Sequence, residues 1–252
     1  MKIVRFKKNG KASYGILEDE KIRGLLGNPF RILKYDGSQY ALADVTLLAP
    51  CKPSKIVCLG LNYRSHAKET KLPIPKVPLL FMKPSTAVIG PGDYILLPRR
   101  TKRTDYEGEL GVVIGKRAKN ISTARAANCI LGYTCFNDVS ERVNQRDDGQ
   151  WTRAKSYDTF APIGPCIETE IAPDDLKIET WLNGEMKQTG RTSDLIFDVF
   201  RTLSFISGVM TLLPGDVIAT GTPSGIGRLL PGDKVEVNIE GIGVLRNPVS
   251  IA

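Results

Sequence analysis

The run Asp105-Tyr106-Glu107-Gly108-Glu109-Leu110-Gly111-Val112-Val113-Ile114-Gly115 constrains this chain more than any other stretch. Its apolar, β-branched residues closed by glycine read as a buried strand, yet carboxylates stand inside it at Glu107 and Glu109. On a strand, side chains two residues apart project from one face, so the two acids lie together while Tyr106, Leu110, Val112 and Ile114 line the other face. Like charges entering a buried element repel each other and lose hydration. A divalent cation compensates both at once.

A second extended run, Tyr133 to Ser140, ends in Asp138 and offers a third oxygen ligand. Three carboxylates with no neighbouring cysteine, in a chain holding one histidine, favour a hard cation: Mg²⁺ first, Mn²⁺ or Ca²⁺ behind it, and not zinc. That histidine, His66, is followed three residues later by Glu69, the spacing of one helical turn. A carboxylate on one ring nitrogen fixes the tautomer and strengthens the other nitrogen as a base. The following residues, with prolines at 73, 75 and 78, have the composition of a loop over a site. Further polar candidates are Lys83, Lys155 and Thr222. The glycine-rich run around Thr222 reads equally as an anion-binding loop or as a turn between strands.

With 252 residues the chain can bury a real core, divided here into a small β-rich unit over 1–50 and a main domain over 51–252. Extended segments are expected at Lys2 to Lys7, Ser13 to Leu17 and Lys21 to Leu25. Pro-Gly-Asp precedes an extended run at residues 91, 214 and 231, each a tight turn feeding a strand. Two helices are expected: a short one capped by Ser122, and a longer one opened by Ser193 or Asp194 with Leu195, Ile196, Val199, Phe200, Leu203 and Ile206 on its apolar face. Five cysteines without a C-x-x-C pair read as reduced core residues. The chain shows no export signal and no apolar run of the ~18 residues a membrane span needs, so a soluble, cytoplasmic protein with no membrane partner is expected. The net charge of +8 is spread along the chain, and its densest cluster, Arg99 to Arg103, reads as a solvated hairpin tip. Without interleaved aromatics it does not read as a nucleic-acid site, and the charge suits an acidic small substrate.

Asn62 to Glu69, Phe81 to Pro91, Asp105 to Gly115, Phe136 to Gln145, Lys155 to Pro165 and Gly221 to Gly227, in this order and with Asn183-Gly184-Glu185 also present, resemble the fumarylacetoacetate hydrolase family. The resemblance implies a mainly β (α+β) fold, a mixed β-roll with a few short helices. It also implies a homodimer and Mg²⁺ or Mn²⁺ bound at Glu107, Glu109 and Asp138. By the same resemblance the His–Glu dyad falls on His66 and Glu69 and the catalytic lysine on Lys155, while Lys83, Arg142, Gln145 and Thr222 are expected at the substrate, a 2-oxo acid bearing a further carbonyl or carboxylate. The chain departs from the family pattern at Glu141, an added acid, and Val143, where an Asp is common.

The implied chemistry is metal-dependent hydrolysis of a C–C bond in an acylpyruvate through an enolate, with water activated by His66. Decarboxylation of oxaloacetate, or an isomerisation, uses the same enolate without attacking water. A non-enzymatic metal-binding or nucleic-acid-binding protein would keep the acids but have no use for His66 and Lys155 together.

Overall fold

Most of the strands join one twelve-stranded mixed sheet, seen in a computed structural model that describes residues 1–31 and 33–252. Across it the order is Tyr35–Ala41, Lys21–Leu25, Lys11–Glu18, Lys2–Lys8, Ala161–Glu168, Ile130–Asn137, Gly108–Ile114, Val217–Ala219, Ile56–Gly60 and Leu79–Lys83. Thr46–Leu48 and Val88–Ile89 pair off this path. A five-stranded sheet holds Glu185–Arg191, Lys177–Leu182, Lys234–Ile239, Gly243–Ile251 and Ile95–Leu97, and a three-stranded one holds Ser140–Glu141, Thr104–Tyr106 and Gly227–Arg228. The helices are few and short, as a mainly β fold requires.

The first strands form where alternation placed them. Lys2–Lys8 buries Ile3, Val4 and Phe6 and continues the sheet by pairing Ile3 with Ile167. The three Pro-Gly-Asp turns share one device: glycine takes positive φ (82° at Gly92, 91° at Gly215, 92° at Gly232), and the aspartate accepts the N–H three residues back, at 2.8 Å from Gly90, 2.8 Å from Leu213 and 2.7 Å from Leu230. Asp216 also takes the N–H and hydroxyl of Ser54 and the ammonium of Lys55, which fixes the entry to the central strand Ile56–Gly60.

Three expectations change. The carboxylate run is not one strand: Thr104–Tyr106 belongs to the small sheet, Gly108–Ile114 to the large one, and Glu107 sits at the break. Leu110, Val112 and Ile114 therefore pack in one core, whereas Tyr106 packs with Ile95, Val139 and Phe160 in another. The longer helix runs Val199–Val209, capped by Asp198, whose side chain accepts the Arg201 N–H at 2.9 Å. Leu195 and Ile196 stay out of the helix because their backbones are used elsewhere: Ile196 donates to Asn62 O at 2.8 Å and Leu195 bridges Tyr63. Finally, Arg99 to Arg103 is no hairpin tip, since the strands on either side of it, Ile95–Leu97 and Thr104–Tyr106, lie in different sheets.

Candidate active site

The break at Glu107 turns the acids toward one another. Glu107 donates its N–H to Asn137 Oδ1 at 3.0 Å and accepts the Asp138 N–H on its carbonyl at 2.9 Å, while the antiparallel register sets Glu109 opposite Phe136. One carboxylate oxygen from each of Glu107, Glu109 and Asp138 falls within 4.8 Å of the others, and all three residues are buried.

Their charges are held unequally. Burial opposes ionisation of Glu107, but Arg142 and Lys155 outweigh it and hold its carboxyl well below the ordinary range. Glu109 is pushed well up by burial and by Asp138 and Glu107, offset only in part by Lys155 and by the Gly221 N–H at 2.7 Å. Lys155, on the short helix Thr152–Lys155, donates to Glu107 Oε2 at 2.9 Å and Asp138 Oδ2 at 2.6 Å. Burial disfavours its charge, yet Asp138 and Glu107 keep it firmly protonated.

Lys83, expected at the substrate, is fully buried and is not among the residues lining the cavity. Its ammonium is 2.7 Å from Asp138 Oδ1, but its donors go to the carbonyls of Val139, Lys155 and Phe160 at 2.9, 2.8 and 2.7 Å. Asp138 thus has a buried ammonium against each oxygen, Lys83 at Oδ1 and Lys155 at Oδ2. A buried, all-carboxylate donor set fits a hard divalent cation.

His66 lies on the helix Arg64–Thr70, with Nδ1 2.8 Å from Glu69 Oε2. Glu69 Oε1 accepts the Gly225 N–H at 2.9 Å, so one carboxylate orients the imidazole and ties the helix to the glycine loop. The helix is anchored by Asn62, which bonds Phe197 O, Thr220 O and Phe197 N, and by Asp194, which accepts the Ser65 N–H.

His66, Glu107, Glu109, Arg142, Gln145, Lys155 and Thr222 line one cavity of about 220 Å³, with Leu59, Phe81, Trp151 and Ile226 among its apolar walls. Glu69 stands behind His66, and Asp138 lies under Lys155, covered on both sides by lysine. Arg142 is clamped by Asp105 (2.9 Å), Glu107 (2.5 Å) and Gln145 (2.8 Å). The Thr222 hydroxyl is already committed, donating to Gly108 O and accepting from Gln188, each at 2.8 Å. Glu141 does not reach the cavity; it caps Arg142–Asp147 by accepting the Asn144 N–H at 2.6 Å. Two contributors lay outside the expected set. Asp105 has no exposure and joins Arg103 to Arg142; its spacing of two before Glu107 is the signal that could have found it. Gln188 holds Gly108 N at 2.9 Å and Pro223 O at 2.9 Å, and carries no local sign of this role.

A mixed β fold here gathers three buried carboxylates, a lysine and a His–Glu pair around one small cavity, the carboxylate oxygens close enough together to hold one metal ion. The family profile "Fumarylacetoacetate (FAA) hydrolase C-terminal" matches residues 55–250, and "Rv2993c-like, N-terminal" matches residues 1–50. The chain belongs to the fumarylacetoacetate hydrolase family. It is 40% identical to the 2,4-didehydro-3-deoxy-L-rhamnonate hydrolase of a Sphingomonas species, covering 99% of this chain and 96% of that protein. It is 41% identical to the mitochondrial oxaloacetate tautomerase FAHD2B of Bos taurus over 82% of this chain and 70% of that one. The solved 2-hydroxyhepta-2,4-diene-1,7-dioate isomerase of Mycobacterium marinum superposes with a TM-score of 0.94 at 45% identity, covering 100% of this chain and 98% of that one. Among the described residues no helix is long and apolar enough to cross a membrane.

Proposed function

We propose that this protein hydrolyses a C–C bond in acylpyruvate-like 2,4-dioxo acids and that it depends on Mg²⁺, with Mn²⁺ as substitute, held by Glu107, Glu109 and Asp138. The observation that carries this reading is the 2.8 Å contact of His66 Nδ1 with Glu69 in the same cavity as the acids and Lys155. Water activation is the step hydrolysis needs and decarboxylation does not, and a carboxylate-oriented imidazole performs it. A divalent cation bound at the three carboxylates would supply Lewis-acid polarisation to the oxygens of a 2-oxo acid.

The chain's own groups do the rest. His66 Nε2 takes a proton from water as the water oxygen bonds to the distal carbonyl carbon. The C–C bond then breaks, its electron pair passing into the pyruvate enolate. Lys155, protonated between two carboxylates, faces the developing negative charge, and a proton returned to carbon gives pyruvate and a carboxylic acid. Arg142 and Gln145 orient the substrate, and the active form is a homodimer.

A second reading, proton transfer within an oxaloacetate-type acid, is favoured by the small cavity and by the tautomerase among the relatives. It needs His66 but no attacking water. Assaying acetylpyruvate and enol-oxaloacetate with Mg²⁺ and then with EDTA separates the two. Metal-dependent release of pyruvate from acetylpyruvate is expected; tautomerisation with no cleavage would replace the first reading by the second, and no turnover of either sinks both.

A further inference from the structure

A larger cavity of about 630 Å³ lies apart from the site above, over the crossing from Ile95–Leu97 to Thr104–Tyr106 and beside Gly227–Arg228. Its size is that of a small-molecule pocket. Four cations, Arg99, Lys102, Arg103 and Arg228, line it, and no aspartate or glutamate does. Among the described residues Arg99, Lys102 and Arg228 have no carboxylate side chain as partner; Arg99 donates to Ala252 O and Arg228 to Lys102 O, both at 3.0 Å. Glu141 is buried beside this loop and accepts the backbone N–H groups of Lys102 and Arg103 at 3.3 Å. Arg103 is paired with Asp105, but Lys102 and Arg228 carry charges with no acid set against them; like charges on one concave surface repel one another, and an anion relieves them. Guanidinium forks suit oxyanions, and Leu97, Leu229 and Ile251 add apolar walls.

We propose that this cavity binds a small organic anion carrying two or more oxyanion charges, and that Arg103 carries its occupancy to the acidic site. Arg103 Nε and Nη2 hold the two oxygens of Asp105 at 3.0 and 3.1 Å, and Asp105 in turn holds Arg142, which leans on Glu107. An anion that draws Arg103 away leaves Asp105 to Arg142 alone, pulls Arg142 off Glu107 and frees that carboxylate for a cation. By linkage the anion then tightens divalent-metal binding, and the metal tightens the anion.

Calorimetric titration of the full-length protein with tricarballylate, with glucose 6-phosphate and with neutral glucose tests the site. At least one anion is expected to bind and glucose is not; whichever anion binds tells carboxylate from phosphate recognition. The double variant Lys102→Glu, Arg228→Glu, both exposed residues outside the acidic site, should weaken that binding at least tenfold with an unchanged circular dichroism spectrum. No heat from either anion, equal affinity in the variant, or a variant that changes sedimentation instead of anion affinity overturns the site. A Mn²⁺ titration with the anion present, corrected for the anion's own Mn²⁺ complex, should show at least threefold tighter binding; unchanged affinity overturns the route through Arg103.

Discussion

Gly225 donates its backbone N–H to one oxygen of Glu69 at 2.9 Å while the other oxygen holds His66 Nδ1 at 2.8 Å. A single carboxylate thus positions the imidazole and closes the helix Arg64–Thr70 onto a loop 156 residues away. Glu69→Gln keeps an acceptor for Gly225 but sets an amide against the ring, which removes the tautomer control. The expected result is kcat for acetylpyruvate lower by about 10- to 100-fold with KM nearly unchanged. Glu69→Ala should raise KM as well, since the loop loses its tie. A Gln variant within twofold of wild type in kcat would contradict the role of the dyad.

Glu109 makes the metal-free protein sensitive to pH. Its carboxyl is held well above the ordinary 4.5 by burial and by Asp138 and Glu107. The folded state therefore keeps a proton that the unfolded chain releases, so this contribution to stability is fully present below 4.5 and is lost as pH rises through the folded value. Thermal melts of EDTA-treated protein should fall, by about 2–4 °C for each kcal/mol lost, as pH rises from 4.5 toward the folded value and level off above it. Glu109→Gln should flatten the profile, and Mg²⁺ should raise the wild-type melting temperature at neutral pH but raise that of the variant less. Parallel profiles for the two proteins would show that Glu109 does not titrate in this way.

Asp105 is enclosed between two guanidinium groups and has no exposure. An asparagine there presents an N–H₂ to a cation and removes one of the two carboxylates holding partly buried Arg142, a loss on the order of 2–4 kcal/mol in unfolding free energy. Because Arg142 then leans wholly on Glu107 and Gln145, KM for acetylpyruvate should rise more than kcat falls. Chemical denaturation and initial rates measure the two effects, and a variant with wild-type stability would show that Arg142 needs no anchor there.

The sequence displays what is chemically anomalous where it stands. Glu107 and Glu109 were legible because charge inside an apolar run has to be answered, and Asp138 because it closes another such run. Their separation across a break in the strand was not legible: hydropathy reads straight through Gly108, and the switch of sheet is set by the pairing of Thr104–Tyr106 with Ser140–Glu141 and Gly227–Arg228. Lys83 was drawn to the substrate by its neighbours in the chain, whereas the fold turns it inward onto three carbonyls of distant segments. Gln188 was invisible for the same reason, since its partner Gly108 lies 80 residues away. The longer helix was placed too early because Leu195 and Ile196 fit its apolar period, while Asn62 and Tyr63 recruit their backbones into tertiary pairing.

Gly60, at the end of the central strand, sets the shape of the cavity beside the carboxylates through Trp151. A methyl group at position 60 would lie 2.6 Å from Trp151 Cζ3 and 2.8 Å from Cη2, closer than carbon atoms can approach, so the indole has to move. That indole packs edge-on to Phe81 at 5.3 Å, and the Trp151 carbonyl accepts the Lys155 N–H at 3.0 Å, so its displacement disturbs both the apolar wall and the lysine that bridges Glu107 and Asp138. Gly60→Ala should cost about 1–3 kcal/mol of stability, the usual range for overpacking. Misplacing a catalytic group by about 1 Å can cost ~100-fold in rate, so the loss in kcat/KM should exceed what the stability change implies. Trp151 is one of two tryptophans in the chain, and its emission should shift to the red as it leaves the wall. Unchanged emission together with wild-type turnover would mean that the ring is held in place by something other than the missing Cβ.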